Sequence, residues 1–262
     1  MIHQQFKTVF FIFCLFLFLL PAQSQVITGE HLFDLIVIDP GHGGNDSGAT
    51  GSISFEKDIT LSISLLVGGL LKRQMPNIEV IYTRDDDSFV PLHKRAEIAN
   101  ENHADLFISI HCNSILNPDF FGSETYVMGV HKNAENLEVA KAENSAILLE
   151  ENFSESYDGF DPDSDEDIIM LTMFQSSSID HSIRFSMLVQ EKLKENAGMY
   201  DRGVKQAGFV VLYLTTMPGV LIETGFLSNP AEEKYLLDPD NQMEIAKAIV
   251  EAVEAYKTFF EG

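Results

Sequence analysis

Residues 36–48 read IVIDPGHGGNDSG, and the fold turns on them. The apolar run Leu35-Ile36-Val37-Ile38 stops abruptly at Asp39-Pro40-Gly41-His42-Gly43-Gly44. A short β-branched run bounded by turn residues predicts a buried strand, here about 34–39. Proline ends ladder pairing, and glycine permits positive φ and close backbone approach. His42 is therefore expected just beyond the carboxyl end of a strand, where α/β sheets place their sites.

Working outward, the long apolar pattern Ile59–Gln74 predicts a helix and Ile78–Thr83 a second strand. A helix from Pro91 to about Asn102 and a third strand, Leu106–Ile110, follow, the strand ending at His111. Strand, helix, strand, helix, strand predicts an α/β fold: one domain with a mostly parallel central sheet and helices on both faces. Gly122–Gly129 reads as another strand and Lys132–Glu151 as a charged helix. Residues 152–166 read as an acidic loop, and Ile168–Asn196 as one long helix or a pair. Phe209–Leu214 and Val220–Ile222 read as short strands, the second ending at Glu223. A short helix from Asn229 and a final helix over Asp238–Phe260 complete the chain.

The amino terminus is read differently. Lys7, the unbroken apolar run Val9–Leu20 and the small residues Ala22 and Ser24 predict a secretory signal peptide over 1–24. The run is too short to cross a bilayer comfortably, so no membrane span is expected after cleavage. Of 17 basic and 40 acidic residues, the leader removes only Lys7. Such acidity disfavours nucleic acid and anionic membranes, which bind through basic patches. The mature chain keeps one cysteine, Cys112, which excludes an intramolecular disulfide.

Three strands end in ionisable residues: His42, His111 and Glu223. In a parallel sheet these ends share an edge, and Glu56 opens the helix beside His42. Two histidines and a carboxylate form the ligand set of many catalytic zinc sites, and a further carboxylate could deprotonate a water there. Each residue also has a plainer reading, as a turn cap, a buried hydrogen-bonded histidine, a helix-dipole partner or a paired acid. Four separate explanations are then needed where one metal site suffices. His31, His93, His103, His131 and His181 are read as surface or helix residues. Cys112 faces away from His111 on the strand and is read as a small buried residue. Arg84 and Arg95 are read as structural ion-pairing residues. Asp161–Asp167 faintly suggests a calcium loop but lacks its glycine and its closing glutamate, so a solvated acidic loop is the reading.

Taken in order, IVIDPGHGGNDSG, Glu56, Thr83-Arg84, Leu92–Asn100, ADLFISIHCNS at 104–114, Gly122–Gly129 and VLIETGFLSNP at 220–230 resemble the zinc-dependent N-acetylmuramoyl-L-alanine amidases of the type 3 class. The resemblance covers nearly all of 34–260. It implies a Zn2+ cofactor held by His42, Glu56 and His111, with Glu223 as the catalytic glutamate. It also implies peptidoglycan as substrate, cut at the amide joining the lactyl group of N-acetylmuramic acid to L-alanine, and a periplasmic or exterior location. Thr224 and Cys112 depart from the residues usual at their positions. In autoinhibited relatives an inserted helix offers the zinc a glutamate. The insertion at about 132–167 has Glu135, Glu138, Glu143, Glu150, Glu151 and Glu155 available, and inhibition would imply an activator protein; a solvated acidic helix and loop is the plainer reading of the same segment. A zinc peptidase acting within the stem peptide and a catalytically silent wall-binding protein are the alternatives.

Overall fold

The expected first strand forms as β1 (Leu35–Pro40), with Ile36, Val37 and Ile38 fully buried. Burial on both faces explains its unbroken apolar run. A computed structural model describes residues 32–173 and 178–262. The expected leader, 1–24, and His31 lie outside the described residues. No helix among the described residues is long and apolar enough to cross a membrane.

After β1 come α1 (Glu56–Gln74), β2 (Glu79–Tyr82), α2 (Leu92–Glu101), β3 (Leu106–Asn113) and β4 (Ser123–Met128). Next are α3 (Ala134–Asn144), a 3-10 turn (Ser145–Leu149), α4 (Phe153–Ser156), α5 (Asp165–Thr172) and α6 (Ile179–Asn196). The chain ends with β5 (Asp201–Ala207), α7 (Val210–Tyr213), β6 (Gly219–Phe226), α8 (Pro230–Leu237) and α9 (Pro239–Glu261). The six strands form one sheet in the order β2-β1-β3-β6-β4-β5. Neighbours pair in parallel except β4 with β6. The α/β expectation, mostly parallel with helices on both faces, holds. Ile36, Ile38, Ile108, Ile110 and Ile222 pack under α1, α6 and α9. Val37, Phe107, Tyr126 and Leu221 pack under α2, α3, α5 and α7.

Several boundaries differ. Phe209–Leu214 is not a strand; its centre is the one-turn helix α7. A short apolar run has no period of its own, so buried strand and buried helix look alike. The buried Asn144 side chain supports this turn, its Oδ1 accepting from Val210 N at 2.8 Å. Strand β5, DRGVKQA, has no counterpart in the sequence reading. It is a half-buried edge strand without apolar alternation. Strand β6 runs on to Phe226, so Glu223 lies within the strand rather than after it. Of the two readings of 168–196, the helix pair is the observed one.

The carboxyl ends of β1, β3 and β6 share one edge. Because β4 runs against β6, with β5 parallel to β4, both of those strands begin at this same edge.

Candidate metal centre

The turn after β1 bends sharply. His42 adopts φ +61°, followed by Gly43 at +124° and Gly44 at +60°. A left-handed conformation at a residue with a side chain costs energy and persists only where its surroundings enforce it. Here two buried arginines do so. Arg95 donates from Nη2 to His42 O at 2.7 Å and from Nη1 to Pro40 O at 2.7 Å and Asp39 Oδ1 at 2.9 Å. Arg84 donates to Pro40 O at 3.0 Å and Gly41 O at 2.7 Å. Both arginines are thus structural, as expected, but they serve backbone carbonyls and Asp39 rather than the side chains of Asp85–Asp87. Asp39 is held below the usual carboxylate range: burial opposes its charge, but Arg95 and the Thr83 and Ser109 hydroxyls outweigh that. Replacing Arg95 by alanine removes the cation paired with buried Asp39 and the side-chain donors to the carbonyls of His42 and Val90, and is expected to cost about 3–5 kcal/mol. Chemical denaturation measures this, and a loss below about 1 kcal/mol would contradict the assigned role.

The glycines at this turn make room. A Cβ on Gly41 would lie 2.4 Å from the His111 ring, and one on Gly48 would lie 2.5 Å from His42 and 2.6 Å from Glu56 Oε2.

Four side chains converge. His42 Nδ1 lies 2.9 Å from Asp46 Oδ2, which fixes the ring with Nε2 facing inward. Glu56, the first residue of α1, is fully buried. Its Oε1 accepts from Cys112 N and its Oε2 from Ala49 N, both at 2.8 Å. His111 Nδ1 lies 3.0 Å from Glu56 Oε1. The fourth is Glu143, near the end of α3, whose Oε2 is 3.1 Å from His42 Nε2 and 2.9 Å from His111 Nδ1. One ligand atom from each of these four residues lies within 4.8 Å of all the others.

This arrangement fits a divalent cation. His42 Nε2 is also 3.1 Å from Glu56 Oε2, yet neither it nor Glu143 Oε2 has a hydrogen-bond partner among the described residues. These lone pairs aim at a shared centre instead of at one another. Ligands at 2.0–2.1 Å from a tetrahedral zinc sit about 3.3 Å apart, close to the spacings here. The charges fit as well. Burial opposes protonation of both histidines, but the charges of Glu56 and Glu143 outweigh it, raising His111 to about 10 and His42 well above its ordinary value. Burial likewise opposes the charge of Glu56 and Glu143, and the two histidines hold both carboxyls low.

Glu223 on β6 is the register partner of His111 on β3. Adjacent strands lie about 4.8 Å apart, so the two side chains rise together from one face. Glu223 is fully buried, and neither carboxylate oxygen has a hydrogen-bond partner among the described residues. Burial, then the charges of Glu143, Glu56 and Glu124, push its carboxyl well above the usual range, with His111 opposing.

A model of the N-acetylmuramoyl-L-alanine amidase family, Amidase_3, matches residues 36–255. The chain belongs to this family. It is 35% identical over 243 residues to the amidase AmiC of Escherichia coli, covering 90% of this chain and 56% of AmiC. It is 33% identical over 232 residues to the amidase AmiA of Escherichia coli, covering 87% of this chain and 78% of AmiA. The chain thus spans about half the length of the AmiC relative and over three quarters of AmiA. An N-acetylmuramoyl-L-alanine amidase structure from Clostridium difficile superposes with a TM-score of 0.65 at 29% identity, covering 85% of this chain and 96% of that one.

The structure brings all four sequence-predicted site residues to one place and adds Glu143. The sequence reading left Glu143 among six glutamates. Its signal is a place on the buried side of α3, shared with Leu137, Ala140 and Asn144. Cys112 is buried as expected, its Sγ 3.2 Å from Thr224 Oγ1, and Thr224 donates to His111 O. His93 is not a lone surface residue. Its Nδ1 lies 3.1 Å from both Glu150 Oε2 and the Tyr157 hydroxyl. His181 Nδ1 likewise meets the Tyr256 hydroxyl at 3.0 Å.

Proposed function

We propose that this protein hydrolyses the amide between the lactyl group of N-acetylmuramic acid and L-alanine in peptidoglycan, with zinc held by His42, Glu56 and His111. The convergence of these ligands beside the buried Glu223, whose carboxylate has no hydrogen-bond partner among the described residues, carries the reading. When bound, the ion supplies Lewis acidity to the scissile carbonyl and can bring the pKa of a water to roughly 7. Asp46 keeps the inward nitrogen of His42 free of its proton. Glu223 takes a proton from the attacking water and returns it to the departing amine of L-alanine. With signal peptide 1–24 removed, the enzyme acts outside the cytoplasmic membrane, in the periplasm.

Segment 132–167 restrains this site. With zinc held by the other three residues, Glu143 would compete for the position that a catalytic zinc leaves open for water. The support is that α3 is tied down: Asn144 donates to Gly208 O and accepts from Val210 N, both at 2.8 Å. Further on, Glu150 Oε1 accepts from Leu92 N at 2.8 Å and the Tyr157 hydroxyl from His93 N at 3.0 Å, so the segment also caps α2. An activator protein that draws α3 away would open the site.

The deciding experiment is muropeptide digestion with and without a chelator, read by mass spectrometry. Intact stem peptides with a free L-alanine amine are expected, with activity lost to the chelator and restored by zinc. Cleavage inside the stem would replace this reading with the peptidase one, and a zinc content near zero with the silent one.

A further inference from the structure

The sheet edge that carries the metal cluster continues past Glu223 to a group of side chains that the chemistry above does not use. Glu124 on β4 is the register partner of Glu223. Directly paired residues leave a sheet on the same face, with Cβ atoms about 5 Å apart. Glu124 is 2% exposed. Its Oε1 accepts from Arg202 Nε and from Lys205 Nζ, both at 2.6 Å, and its Oε2 accepts from the Tyr126 hydroxyl at 2.8 Å. Arg202 is also stacked, its guanidinium carbon 4.4 Å from the Phe120 ring centre and 5.3 Å from that of Phe226. One edge of the guanidinium is thus fixed by a buried acid and its face by two rings. Nε makes its one hydrogen bond, so both terminal nitrogens are without a hydrogen-bond partner among the described residues.

A planar guanidinium held this way is a fork for a carboxylate, which it binds through two parallel hydrogen bonds. Two cations share the one buried acid here, with Glu232 also close enough to feel the charge of Arg202, in a chain with 40 acidic residues against 17 basic ones. An open groove of about 420 Å³ beside β5 is lined by Lys132, Asn133, Arg202 and Lys205 among others, so the cations are reachable.

We propose that Arg202, fixed by Glu124 and backed by Lys205, binds a carboxylate of the stem peptide on the leaving-group side of the scissile amide. The inference rests on the amidase reading above. The sheet order supplies the direction, running from β3 with His111 to β6 with Glu223, then β4 with Glu124 and β5 with Arg202. The amine that Glu223 protonates therefore departs toward the arginine. From β3 to β5 is three strand spacings, roughly 14 Å, and an extended peptide covers roughly 3.3 Å per residue. Allowing for the reach of the side chain, the fork meets about the second to fourth residue of the stem.

The test uses two soluble muropeptides, one with free stem carboxylates and one with those groups amidated. Kinetics are measured in whichever of the wild type and Glu143→Ala is the more active. The parent is expected to show a KM at least about tenfold higher for the amidated compound, with kcat little changed. Arg202→Gln should give both compounds the higher KM, while Arg202→Lys, which keeps the charge without the fork, falls between. Calorimetric binding of the same pair to Glu223→Gln should reproduce the preference without turnover. Equal KM values in the parent, or a preference that survives in Arg202→Gln, would overturn the subsite. Glu124 keeps Lys205 and Tyr126 in Arg202→Gln, and if that variant fails to fold the parent comparison still decides. Cleavage of the amide with no preference defeats the subsite alone, whereas no cleavage of that amide in either compound defeats the amidase reading and the subsite with it.

Discussion

Glu223→Gln is expected to lose about a thousandfold or more of turnover on muropeptides while retaining its metal. Glu223 is fully buried and its carboxylate oxygens have no protein partner among the described residues, so no structural bond explains its presence. Burying an acid without a partner opposes folding. The glutamine variant, close in volume and uncharged, should therefore melt no lower than the wild type, as when strained functional groups are removed. It lies beside the ligands without being among the four converging residues, so zinc content is expected to stay near one per chain. General base and acid steps contribute roughly 10²–10⁴ in rate, and glutamine can neither take the proton from water nor return it to the amine. Three measurements on one purified protein suffice: zinc by elemental analysis, melting by calorimetry, and release of stem peptide by mass spectrometry. Full activity would remove Glu223 from the mechanism, and loss of zinc would recast it as part of the metal site.

Much of this was legible in the sequence because buried parallel strands are apolar on both faces, as in Leu35–Ile38 and Leu106–Ile110. Ionisable residues closing such strands stand out, which is why His42, His111 and Glu223 could be picked and then found together. Three kinds of residue stayed hidden. Arg202 and Lys205 lie on an edge strand whose half-exposed pattern carries no apolar alternation, so nothing in DRGVKQA marks a strand or brings it beside Glu223. Phe209–Leu214 failed for the opposite reason, being apolar throughout and so without a period. Glu143 is a third case. Its place on α3 follows from helical spacing, but its meaning needs the helix docked over the edge of β3.

Glu143→Ala supplies the other large effect, and its two readouts move in opposite directions. The variant removes one of four converging ligand atoms and opens the fourth position to water. Basal hydrolysis is expected to rise on the order of 10–100-fold, the range in which a population of closed sites is converted to open ones by 1.4–2.8 kcal/mol. Zinc affinity should fall at the same time, because a ligand has been lost, and competition with a chromogenic chelator reads it directly. Glu138→Ala on the exposed side of the same helix controls for the loss of negative charge and should change neither. Opening the metal position alone leaves α3 docked through Asn144, so full release needs the helix to move. Adding Asn144→Ala removes two buried hydrogen bonds and should raise activity beyond Glu143→Ala alone. Deleting about 133–166 should do the same, at some cost in stability because the amides of Leu92 and His93 lose their caps. If Glu143→Ala kept its zinc yet gained no activity, Glu143 would not be the block. A loss of activity together with zinc would make it a resident ligand of the working enzyme, which is the opposite role for the same carboxylate.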